Sequence, residues 1–146
     1  MKKISLFLTF LAFTIFTYAQ SLPIDFESGI TTSNFIDFNG GTATVIPNPQ
    51  SNANNNSATV AQIVRNGGDI WAGSKISLAN NLDFTTDNVI RLKVYTAAPV
   101  GTQVKFKLES ANGADERDAY TTVSNAWETL TWDFTGTANT YNDLVF

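Results

Sequence analysis

Thirteen acidic side chains, nine basic ones and no histidine or cysteine at all set the chemistry open to this 146-residue chain. Without His or Cys there can be no Ser-His-Asp triad, no thiolate nucleophile and no His-based zinc site. Paired carboxylates remain the one route to hydrolysis, and a glycosidase needs two of them roughly 5–9 Å apart, one with a raised pKa. The densest acidic cluster is Asp115-Glu116-Arg117-Asp118, just after the turn signal Asn112-Gly113. It reads first as a solvated hairpin tip, then as a ligand-contacting loop, and last as a catalytic pair. Asp25 and Glu27 flank Phe26, so strand alternation sends both to one face of a first strand. There they form a plain exposed edge or offer oxygen ligands to Ca²⁺, a hard cation that takes six to eight of them. Asn39-Gly40-Gly41 and Asn66-Gly67-Gly68 are too short to cradle a phosphate and lie between strand patterns rather than before a helix.

Large rings say more. Trp71, Trp127, Trp132, Tyr95, Tyr120 and Tyr141 are many aromatics for a domain of this size. A flat sugar face packs its C–H groups on such rings, although rings also build sandwich cores. Trp132 shares parity with Phe134, so both are expected in the core. Trp127 shares parity with Thr129, Thr131 and Asp133, a polar face, and is expected to be exposed. Trp71 follows the Gly67-Gly68 turn and precedes Ala72-Gly73-Ser74, whose small side chains leave a ring room to stack.

The elements that must position these residues read as strands. Val89–Tyr95 and Val104–Leu108 alternate apolar with basic residues, and Trp127–Phe134 is rich in aromatic and β-branched residues. Further strands are expected at Leu22–Phe26, Phe35–Phe38, Thr42–Ile46, Ala58–Val64, Ile70–Leu78, Thr121–Val123 and Leu144–Phe146. Turn chemistry separates them, at Pro47-Asn48-Pro49 and Ala98-Pro99-Val100-Gly101 as well as the Asn-Gly pairs. No amphipathic helix is expected. Strands about ten residues apart indicate an all-β antiparallel sandwich or barrel. Gln50–Ser57 (QSNANNNS) is polar and low in complexity, expected as a flexible loop, and carries an Asn-x-Ser sequon at Asn55.

Residues 1–19 read as a cleavable export signal. Lys2 and Lys3 precede the uncharged apolar run Ile4–Thr17, which ends at a small residue, Ala19. The run is shorter than the roughly 20 residues that span a bilayer, so no membrane insertion is expected after cleavage. The mature domain, 20–146, keeps seven basic against thirteen acidic residues, a net charge of −6. Such a surface repels nucleic acid. Secretion to the periplasm, cell surface or medium is the expected location. The ending Asn142–Phe146 reads as an apolar strand with nothing after it, so the domain is expected to be cut short of its last strand or strands.

Leu22–Glu27, Val60–Gly68, Trp71–Ser74 and Trp127–Phe134 together resemble a jelly-roll module of exported Bacteroidetes proteins. The pattern is similar to carbohydrate-binding modules of the family 4/9 and galactose-binding-like type, over most of residues 22–146. That resemblance implies non-catalytic binding of a polysaccharide, with a β-glucan such as laminarin first, and a structural calcium held partly by Asp25 and Glu27. The acidic pair that completes this calcium site in the family has no counterpart here. Ligand contacts are expected from Trp71, Arg65, Asn66 and Asp69 near one loop edge, with Glu116, Asp118 and Tyr120 as neighbours, and separately from Trp127 as an exposed ring. Rival expectations are an adhesion or spacer domain, and the accessory domain of a glycoside hydrolase or polysaccharide lyase.

Overall fold

The computed structural model describes residues 22–146, and the export signal expected over 1–19 lies outside them. Among the described residues there are nine strands, one short 3-10 helix at Thr32–Asn34, and no α-helix. The strands are β1 (Ile36–Phe38), β2 (Gly41–Pro47), β3 (Thr59–Arg65), β4 (Gly73–Ser77), β5 (Val89–Thr96), β6 (Gln103–Ser110), β7 (Gly113–Tyr120), β8 (Ala126–Asp133) and β9 (Asp143–Val145). Every pairing is antiparallel. The chain is thus the all-β antiparallel sandwich its alternation predicts.

One layer is a continuous five-stranded sheet in the order β1-β4-β9-β6-β7. The other is made of two separate ribbons, β2-β3 and β5-β8. β2 packs on β1 and β4, β3 on β4, and β8 on β7. The second layer therefore runs β2-β3, then a gap, then β5-β8.

Apolar residues at every second position explain the packing between the layers. Phe106 and Leu108 of β6, Leu144 of β9, and Leu130 and Trp132 of β8 meet Phe134, Leu78 and Leu82 in one buried cluster. Ile30, Phe35, Ala43 and Ile76 form a second under β2. Rings lock the first cluster, with Phe106 5.5 Å from Trp132 and edge-on to both Phe134 and Phe146. Each such side chain contributes about 1.5–3 kcal/mol on burial. Trp132 also donates its indole N–H to the Val104 carbonyl at 3.1 Å, so burial leaves no polar atom unpaired.

Four expectations are corrected. Leu22–Phe26 is not a strand: Phe26 sits at φ +56°, a left-handed conformation that breaks alternation. Thr121–Val123 forms the corner between β7 and β8, because Thr121 is used to bind the β5–β6 loop at Pro99 and Thr102. The acidic run Asp115–Asp118 is no hairpin tip but lies within edge strand β7. Leu144–Val145 is not an unpaired edge either, since β9 lies between β4 and β6 and pairs with both.

Candidate functional site

The strand expected from Ile70 begins only at Gly73, and the residues before it form a projecting turn. Asp69 accepts the Ala72 amide at 2.9 Å, which closes a four-residue turn with Ile70 and Trp71 at its two corner positions. Corner side chains point away from the chain reversal, so Ile70 is 83% and Trp71 62% exposed. The turn is pinned from below. Asp69 donates its amide to the Asn39 carbonyl (3.1 Å), and Asn66 donates its amide to that of Gly40 (2.9 Å). The Asn39 side chain donates to the Asp69 carboxylate at 2.9 Å, and that of Asn66 to Thr42 Oγ1 at 3.3 Å.

Such contact needs two bare backbones. A Cβ on Gly40 would stand 2.7 Å from Gly68 Cα, and one on Gly68 would collide with the Asn39 carbonyl oxygen. Arg65, at the end of β3, reaches the Asp69 carbonyl through Nη2 at 3.4 Å. Trp71, Arg65, Asn66 and Asp69 are thus brought together as expected, all exposed. Sequence reasoning missed Ile70, the more exposed corner, and Asn39, which holds the turn. The signal for both was Asn-Gly chemistry at 39–40 and 66–67, which marks two turns but not their contact.

The expected neighbours lie elsewhere. Glu116, Asp118 and Tyr120 line the outer face of β7, with β9 and β6 between them and β4, roughly 14 Å away at normal strand spacing. Lys105 neutralises Glu116 at 2.9 Å and Asp118 at 3.1 Å. On the inward face of the same strand, Arg117 pairs with Asp115, donates to the Asp133 carbonyl and covers the Phe134 ring at 5.3 Å. This cluster is an ion-paired sheet surface.

Trp127 corrects another expectation. The regular register Tyr95↔Trp127 to Val89↔Asp133 does put it on the face of Thr129 and Thr131. Yet it is only 7% exposed. Its indole N–H donates to the Gln50 carbonyl at 2.9 Å, Asn54 Nδ2 donates to the Trp127 carbonyl at 3.4 Å, and the Tyr95 ring lies tilted against it at 5.5 Å. The covering segment is Gln50–Ser57, organised by its own asparagines. Asn48 donates to the Ser57 carbonyl, Asn52 accepts the Asn54 amide, and Asn55 accepts the Ser57 hydroxyl at 2.6 Å. Asn55 is itself buried.

Asp25 and Glu27 do not share a strand face. Asp25 accepts the Glu27 amide, while Glu27 accepts the amides of Ala58 and Thr59 at the start of β3. Among the described residues no three acidic side chains gather as metal ligands.

Several carboxylates have displaced pKa values, all downward. The Thr85 hydroxyl and amide hold Asp83 low, and the amide of Val89 with Arg91 does so for Asp87. Lys107 acts on Glu109, and Thr135 on Asp133. At Glu128 desolvation pulls upward but is outweighed by hydrogen bonds from Thr122 and the Val123 amide. General acids are made by the opposite shift. Compared with family models, curated proteins and solved structures, the chain matches none.

Proposed function

We propose that this domain binds a polysaccharide without acting on it, through the Trp71 turn of an exported jelly-roll module. The observation that carries this reading is an indole 62% exposed on a turn held by five hydrogen bonds. A ring that is both exposed and pre-positioned suits stacking, because little rotamer or loop entropy is lost on binding. Around it, the second Asp69 carboxylate oxygen and the remaining Arg65 donors have no protein partner among the described residues. They supply the in-plane hydrogen bonds that sugar hydroxyls require. A β-glucan is the first ligand to try. Retardation of the protein in native gels containing laminarin, xylan, mannan or alginate tests this. Slowing in at least one gel is expected, insensitive to salt and abolished by Trp71→Ala. Unchanged mobility in all four would leave the spacer reading.

A further inference from the structure

The most exposed hydrophobic side chains among the described residues are Ile70, Val100, Trp71 and Tyr120, and all four stand at one end of the continuous sheet. Pairing fixes this. Lys75, Val145, Lys107 and Glu116 lie in one row across β4, β9, β6 and β7. β4 and β6 both pair antiparallel with β9 and so run in the same direction, which puts Gly73, Lys105 and Asp118 in the next row. Trp71 comes two residues before Gly73 and Tyr120 two residues after Asp118, so both rings fall beyond that row. Tyr120 has a mount of its own. The Thr102 amide donates to the Pro99 carbonyl at 3.2 Å and closes a turn with Val100 and Gly101 at its corners. Gly101 takes there a left-handed φ of +85°, open to glycine. Buried Thr121 ties this turn to β7. Its amide donates to the Thr102 carbonyl at 2.9 Å, its hydroxyl to the Pro99 carbonyl at 3.1 Å, and its own carbonyl accepts the Gly101 amide at 2.8 Å. Val100 is left 63% and Tyr120 57% exposed, much as Ile70 and Trp71 are on theirs.

We propose that one polysaccharide chain spans both mounts, stacked on Trp71 at one pole and on Tyr120 at the other, so that the domain recognises a run of several sugars rather than a single one. This rests on the sugar-binding reading of Trp71. β4 and β7 are three strand spacings apart, roughly 14 Å, a span that a single stacked sugar cannot cover. Each pole is a ring held in place before the ligand arrives. Bridging them makes the second stack intramolecular, and affinity rises at little further entropic cost. Gln103, exposed on β6 directly opposite Tyr120, offers an amide donor and acceptor to hydroxyls within the run. A lipid surface suits this end less well. Lys105 and Asp118 would have to shed water along with the rings, and the net charge of −6 over residues 20–146 repels anionic headgroups.

The test runs the protein in native gels with laminarin, xylan, mannan or alginate, then titrates tryptophan emission with oligosaccharides of two to eight units cut from the polymer that retards it. Affinity is expected to climb at least tenfold as the oligosaccharides lengthen, and to level off once both poles are reached. Tyr120→Ala should weaken binding at least tenfold without lowering the melting midpoint, and Tyr120→Phe, which keeps the ring, should restore it. Retardation unchanged in Tyr120→Ala but lost in Trp71→Ala would overturn the two-pole inference and leave the Trp71 reading standing. Full affinity for a disaccharide would do the same. No retardation of the parent protein in any gel would overturn both. Co-sedimentation with phosphatidylcholine vesicles, abolished by either alanine variant, would assign this end to a lipid surface instead.

Discussion

Trp71 and Trp127 are the same residue type, each beside a loop, and their fates are opposite. Trp71 stands at the corner of a turn pinned from below by Asn39 and Gly40, so the ring is left in solvent. Trp127 stands on a strand face that alternation marks as polar, and the asparagine-rich segment closes over it. The difference teaches that strand parity fixes which side a ring takes, whereas the neighbouring loop fixes whether water reaches it.

The largest test of this contrast is truncation of each ring. Trp127→Ala removes a buried indole and leaves the Gln50 carbonyl without its donor, so a loss of about 3–5 kcal/mol in urea unfolding is expected. Trp71→Ala should change stability by less than about 0.5 kcal/mol. Equal losses at the two sites would break the comparison. Next comes Gly68→Ala, which must part the Gly68 and Asn39 backbones. An overpacking cost of about 1–3 kcal/mol is expected, together with a blue- or red-shifted Trp71 emission. Unaltered stability and emission would mean that the turns do not depend on one another.

The smallest effect is that of acid. Glu128, one residue beyond Trp127, has its pKa lowered by the Thr122 hydrogen bonds. A depressed folded-state pKa means stability that is present above the ordinary value near 4.5 and lost as pH falls through the folded one. The melting midpoint should therefore fall modestly below about pH 4.5, and less steeply in Glu128→Gln. An identical slope in the variant would remove Glu128 from the account.

Legibility in the sequence followed this same division. β5 and β6 could be read directly, because one face is core and the other carries Arg91, Lys93, Lys105 and Lys107. β7 hid as a polar run, because an edge strand with an ion-paired outer face needs few apolar residues to hold it. The β9 residues were legible as a strand, but its central place depends on pairing with β4 and β6, far away in the chain. Leu22–Phe26 shows the converse: a good strand pattern forms no strand where the backbone turns left-handed, as it does at Phe26. Of the candidate site, Trp71 and its polar companions were legible from turn chemistry. The cover on Trp127 was not, since a tract of asparagines states no preference about what it will lie upon.

The contact between Gly40 and Gly68 has a consequence for altering this protein. The two turns share one frame, built from Asn39, Gly40, Gly68 and Asp69, and that frame makes no use of the Ile70 or Trp71 side chains. The corner pair is therefore a replaceable tip on a fixed mount. New recognition chemistry can be written at two positions without redesigning the sandwich that carries them.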